Sequence, residues 1–141
     1  MINEETRALH IEVALLRGVK EEDLLEKSAD IGRKAIVNTL LLQPMFLNGP
    51  KSCRYSYGAA DGSLAMRGWM TVDCLPSACD IVLASDGYPE LHGTLFESED
   101  RLAAILAVDP LMFRGVKATK GCYKGLKSFD DRAYLRIRME G

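Results

Sequence analysis

Two acidic positions stand where a chain can support chemistry. Asp86 follows the unbroken apolar run Ile81-Val82-Leu83-Ala84 and precedes Gly87. That pattern predicts a strand buried on both faces, with a carboxylate aimed out of its end on a rigid support. Asp130 and Asp131 stand just ahead of Ala133, Leu135, Ile137 and Met139, whose alternation with Tyr134, Arg136 and Arg138 predicts a half-exposed last strand. If the two strands are antiparallel neighbours, the carboxylates lie at the same end of the sheet. Hard divalent cations such as Mg²⁺ or Mn²⁺ take this kind of oxygen cluster, usually keeping several waters. The same residues also read as a plain turn at Asp86-Gly87 and a solvated loop at Asp130-Asp131, and spacing leaves both readings open.

A basic loop is the second feature. From Arg114 to Arg138 there are eight Lys or Arg and two acids, a local +6 in a chain of net charge −2. Lys120, Lys124 and Lys127 form its glycine-rich centre, a surface that attracts phosphate or phosphoprotein, or one that merely keeps a loop soluble. No residue is assigned a catalytic role. His10 and His92 lie in unrelated segments without a serine or cysteine motif beside them, so no nucleophile triad can be argued. Neither phosphate-binding glycine motif occurs. Trp69 reads as a packing residue.

The 141 residues are close to the length of one domain, and 48% apolar with 27% charged residues excludes intrinsic disorder. The nearly balanced charge argues for neither nucleic acid nor a membrane surface. The longest purely apolar runs are far short of a membrane span, and residues 1–20 lack the pattern of a signal peptide, so a cytoplasmic location is expected. Cys53, Cys74, Cys79 and Cys122 contain no C-x-x-C pair and read as reduced thiols.

The elements that must position these residues read as α+β: a helical first third, then strands. Asn3 reads as the cap of a first helix with Glu4 and Glu5 in its opening turn and Leu9, Val13 and Leu16 on its apolar stripe, ended by Gly18. Lys20 to Lys27 reads as a short helix. Ser28 to Leu42 reads as a longer one with Ile31, Ala35, Asn38 and Leu42 on one stripe, stopped by Gln43-Pro44. Residues 54–73, turning at Asp61-Gly62, read as a hairpin. Thr94 and Glu97 have capping-box spacing ahead of a helix whose apolar side is Leu102, Ile105 and Leu106, ending at Asp109-Pro110.

The motif Asp80-Ile81-Val82-Leu83-Ala84-Ser85-Asp86-Gly87-Tyr88 resembles the "ILASDG" segment of metal-dependent protein serine/threonine phosphatases of the 2C type. Ser128-Phe129-Asp130-Asp131-Arg132-Ala133-Tyr134-Leu135-Arg136-Ile137 is similar to that family's closing "S-x-D-[DN]-x-T-x-I-x-I" segment. Tyr57-Gly58 with Asp61-Gly62 looks like the hairpin before the first motif in bacterial relatives. The resemblance covers roughly residues 54–139. It implies an α-β-β-α sandwich with mainly antiparallel sheets, and a two-metal Mn²⁺ or Mg²⁺ centre that hydrolyses phosphoserine or phosphothreonine in protein substrates. Asp86 and Asp130 match metal-binding aspartates, and Asp131 falls where relatives have Asn or Asp. The "DGHGG"-like metal loop, the phosphate-binding arginine and the general-acid histidine of the family have no counterpart here, and Tyr88-Pro89 is atypical. The expectation is therefore the C-terminal half of such a phosphatase, inactive alone. A partner- or phosphopeptide-binding module and a structural oligomerising subunit are the rivals. A half-domain leaves the faces Leu64/Met66/Met70 and Leu135/Ile137/Met139 to be covered, so a homodimer is expected.

Overall fold

The computed structural model describes residues 2–62 and 68–140. The chain is α+β, with a helical N-terminal region and a two-stranded antiparallel sheet among the described residues. It divides into two compact units. One joins the chain up to Ile36 to the chain from Ser77 onward, and the other is Val37–Pro76.

Helix α1 is Ile2–Leu16. It starts one residue before Asn3, which lies buried within the first turn instead of capping it. Gly18, at φ 88°, ends the helix as the spacing predicts. The Val19 N–H reaches back to the Ala14 carbonyl at 3.1 Å and the Gly18 N–H to that of Leu15 at 3.0 Å. This pair of bonds needs a left-handed residue, which glycine adopts without a Cβ penalty. The buried face is not the predicted one: Leu9 and Leu16 are exposed, while Arg7, Ala8, Ile11 and Ala14 point inward.

Helix α2 is Glu21–Leu24, a single turn. Helix α3 is Ile31–Leu42, and its buried positions are Gly32 and Ile36, not Ala35, Asn38 and Leu42. Gly32 is where α1 comes closest: a Cβ there would stand 2.7 Å from the Arg7 side chain and carbonyl oxygen. Gln43–Phe46 continues as a 3-10 turn past Pro44. Helix α4 is Leu95–Val108, with Thr94 as its N-cap and Asp109 as its C-cap. The Thr94 hydroxyl oxygen accepts from the Glu97 N–H at 3.2 Å and donates to the Glu97 carboxylate at 2.7 Å. The buried side of α4 is Leu102, flanked by Ile105 and Leu106, as predicted.

Strands β1 (Cys79–Ala84) and β2 (Tyr134–Met139) pair antiparallel, with Ile81 opposite Ile137, Leu83 opposite Leu135 and Ala84 opposite Tyr134. Alternation then gives the ribbon two unlike faces. Ala84 and Tyr134 pack with α4, around Leu102 and Met112. Leu83, Leu135, Ile137 and Met139 share the other face and are 54%, 54%, 40% and 38% exposed. The expectation that β1 is buried on both faces is thus overturned. Among the described residues the two-stranded ribbon has no further strand at either edge, and its apolar side stays roughly half open to solvent. On the α4 side, Asp80 accepts from Arg138 at 3.0 Å and from Arg136, and these bonds, Arg138 first, hold its carboxyl down at about 2.

The first unit is fastened by a buried charge cluster. Arg7 and Asp30 are 0% and 1% exposed and pair at 2.8 Å. Arg7 Nη1 also donates to the carbonyls of Leu111, Met112 and Ala118, at 2.8, 3.2 and 3.1 Å. Asp30 further accepts from the Arg33 N–H at 2.7 Å and the Tyr123 hydroxyl at 3.1 Å. Burial, then the Asp30 charge, pushes the Tyr123 phenol up to about 12. Ala8, Ile11, Leu24, Leu111 and Phe113 pack around this cluster. Each Leu or Ile fully buried here contributes about 1.5–3 kcal/mol.

In the second unit, Leu47 and Tyr57 form an isolated parallel bridge. The Asn48 side chain, on a backbone at φ 51°, accepts from the Ala59 N–H at 2.9 Å and donates to its carbonyl at 3.0 Å. Trp69 lies on Gly58 and donates to the Gly49 carbonyl at 3.3 Å, which makes it a packing residue. The expected hairpin over 54–73 falls partly on residues 63–67, Leu64 and Met66 included, which lie outside the described residues. The described residues of that stretch contain no strand ladder.

Candidate functional site at the open strand end

Antiparallel pairing brings the two acidic motifs together. Beyond the last ladder pair the Ser85 N–H bonds the Ala133 carbonyl at 3.1 Å, and the Ala133 N–H donates to the Ser85 hydroxyl at 2.9 Å. That hydroxyl in turn donates to the Asp131 carbonyl at 3.2 Å. Gly87 closes the contact: a Cβ there would stand 2.2 Å from the Asp131 carbonyl oxygen, so only glycine lets the two backbones approach this closely. Ser85, a member of the first motif with no role expected of it, is the hydrogen-bonding hinge of the arrangement.

The three aspartates share this strand end without sharing surroundings. Asp86 is exposed at the tip of its turn. Asp131 is exposed, and its backbone N–H donates to Asp130 Oδ1 at 2.8 Å. Asp130 is partly buried and pairs with Lys120 Nζ at 2.6 Å. Burial works against its charge, but the bonds from Lys120 and the Asp131 N–H together prevail and hold its carboxyl below the ordinary value. Of the other lysines in the basic loop, Lys124 stands 3.5 Å from Glu26, and Lys127 makes no ion pair among the described residues. The loop's positive charge is thus largely spent on neighbouring acids.

Asp130 and Asp131 open onto a cleft of about 500 Å³, walled by Tyr88, Glu99, Arg132 and Tyr134. The Tyr88 and Tyr134 rings meet edge to face, their centroids 6.2 Å apart. Glu99 accepts from the Tyr88 hydroxyl and from Arg132 Nε, the latter at 3.0 Å. The Glu99 bond, reinforced by burial, raises the Tyr88 phenol above its ordinary value. Sequence reasoning missed this wall. Tyr88 and Arg132 each sit one or two positions from the acids, a signal that could have found them. Glu99, on α4, gave none.

Asp86 does not line the cleft, and among the described residues no group of three or more His, Cys, Asp or Glu side chains is close enough to hold a metal ion. The two-metal centre implied by the resemblance therefore does not fit the residues present. The acids are too few, and the best-placed of them, Asp130, already has a cation in Lys120.

The fold and this strand end define an α+β protein with an acidic, partly neutralised loop junction. No protein-family model, no curated protein and no solved structure matches the chain. Among the described residues, no helix is long and apolar enough to cross a membrane.

Proposed function

We propose that the chain is a 2C-type phosphatase-like module, directed at phosphoproteins and without hydrolytic activity on its own, whose strand end brings two acidic segments together without completing a metal centre. The observation that carries this reading is the close approach of the Gly87 backbone to Asp131 across antiparallel strands, where a Cβ on Gly87 would stand 2.2 Å from the Asp131 carbonyl oxygen. Phosphopeptide capture by the basic loop is less well supported, because Lys120 and Lys124 are engaged by Asp130 and Glu26.

Two carboxylates with waters bind Mn²⁺ weakly, on the order of a millimolar dissociation constant. Titration should give that affinity, with further loss in Asp86→Ala and Asp130→Ala, and p-nitrophenyl phosphate hydrolysis with Mn²⁺ should stay at buffer background. Micromolar binding insensitive to both substitutions would place the ligands elsewhere. Turnover abolished by Asp86→Asn would mean a complete catalytic centre.

A second reading, a subunit that completes its sheet by self-association, is favoured by the exposed Leu83/Leu135 face and the two open strand edges. Light scattering separates the two: a homodimer at micromolar concentration supports it, and a folded 15.6 kDa monomer removes it.

A further inference from the structure

We infer that the chain pairs with a second copy of itself along the outer edge of β1, antiparallel about a two-fold axis at Val82, so that two ribbons become one four-stranded sheet. This rests on the second reading above, a self-associating subunit, and names the edge and the register it uses. Opposed residues of an antiparallel ladder alternate between pairs that exchange both backbone bonds and pairs that exchange none. The Ser85 N–H bonds the Ala133 carbonyl at 3.1 Å, one step past the Ala84–Tyr134 pair. The bonded positions of β1 are therefore Cys79, Ile81 and Leu83, and the backbone N–H and C=O groups of Asp80, Val82 and Ala84 point outward. None of these outward groups has a hydrogen-bond partner among the described residues. On β2 the same alternation turns the backbone of Tyr134, Arg136 and Arg138 outward.

The two edges differ in what a second copy would meet. A two-fold at Val82 sets Val82 against Val82 and Asp80 against Ala84, and it satisfies every outward group of β1. On the apolar side it lays Ile81 of one copy against the exposed Leu83 of the other. No like charges face each other, and Asp80 is already matched within its own chain by Arg136 and Arg138. The equivalent pairing of β2, about Arg136, sets Arg136 against Arg136. Like charges directly opposite destabilise a cross-strand pair, and charged side chains are one way natural edges avoid such pairing. β1 carries no such guard. This match of the strand to itself, apolar on apolar with every backbone group paired, is what selects a copy of this chain as the occupant.

Amide hydrogen exchange, read residue by residue by NMR along a concentration series with light scattering beside it, tests this. As dimer replaces monomer, the amides of Asp80, Val82 and Ala84 should become protected. Those of Arg136 and Arg138 should stay open, and those of Ile81 and Leu83, already bonded within the ribbon, should change least. Val82→Lys puts a like-charge pair on the axis and should weaken the dimer about tenfold. Leu135→Lys, on the apolar face of the other strand, should leave it unchanged. A dimer whose Asp80, Val82 and Ala84 amides stay open overturns this inference and leaves the subunit reading standing. So do a dimer broken by Leu135→Lys but not by Val82→Lys, and particles that grow beyond two copies, in which β1 would take β2 of the next copy. A folded monomer at every concentration overturns both. The exchange measurement on the unaltered chain decides the matter even where Val82→Lys fails to fold.

Discussion

The buried Arg7–Asp30–Tyr123 cluster and the exposed Asp86/Asp130–Asp131 strand end are both built from opposite charges, yet they do opposite work. In the first, Arg7 and Asp30 are essentially inaccessible, and Arg7 donates to three loop carbonyls as well as to Asp30. Desolvating these charges is costly, so each must be matched, and the matching spreads over α1, the turn before α3 and the loop beyond α4. In the second, Asp86 and Asp131 face solvent, and only Asp130 has a close cation. Water solvates what the protein does not, so the strand end keeps capacity for a ligand that the buried cluster has already spent on itself. The difference lies in accessibility, since the residue types are much the same.

The sharpest way to break the comparison is to remove Arg7. Arg7→Met keeps much of the apolar stem but leaves Asp30 as an uncompensated buried charge and three carbonyls without their donor. Unfolding in urea should show a loss of about 3–5 kcal/mol. Adding Asp30→Leu should restore only part of it, because the carbonyls of Leu111, Met112 and Ala118 stay unsatisfied. Full recovery in the double variant would mean that the pair alone, and not the loop it gathers, gives the cluster its importance.

Gly87 tests the other side. Gly87→Ala places a methyl 2.2 Å from the Asp131 carbonyl oxygen, a backbone atom that cannot move without opening the Ser85–Ala133 bonds. The expected cost is about 1–3 kcal/mol in urea unfolding, with hydrogen exchange accelerated at Ser85 and Ala133 and unchanged in α1. Unchanged exchange at the strand end would show that the two motifs are not locked together.

These two residues also show what could be read in advance. The C-terminal end of α1, both ends of α4 and the course of β2 follow from short-range signals: Gly18, the Thr94–Glu97 box, Asp109 and the β-alternation before Met139. That Asp86 and Asp130 lie at the same end of the sheet needed only the premise that the strands pair antiparallel. The buried faces were harder. Hydropathy assigns arginine to the surface, so the inward stripe of α1 was placed on Leu9 and Leu16. Arg7 turns inward because Asp30, 23 positions away, meets it there. Gly32 is buried for the same reason, as the point where α3 approaches Arg7, and a count of apolar residues gives glycine no weight. The Lys120–Asp130 pair depends on a loop held by Arg33 and Arg7, contacts that no local pattern announces.

The smallest expected effect separates the two regions by pH. Tyr123→Phe removes the hydroxyl that donates to Asp30 at 3.1 Å, while Arg7 and the Arg33 N–H continue to serve that carboxylate. The cost near neutral pH should therefore be about 1 kcal/mol. In the folded chain the phenol is pushed up to about 12 from an ordinary 10, by burial first and then by the Asp30 charge. Its contribution to stability is fully present below pH 10 and is lost as pH rises through about 12, because the unfolded chain ionises first. The phenylalanine variant has no such proton to lose. Denaturant unfolding at pH 9 and at pH 11 should thus show the gap between wild type and Tyr123→Phe narrowing at the higher pH. Added salt should leave the pH 9 gap nearly constant, since the cluster is shielded from the ions that screen exposed pairs such as Lys120–Asp130. A gap that is constant with pH but collapses with salt would place Tyr123 with the surface charges and erase the distinction between the two regions.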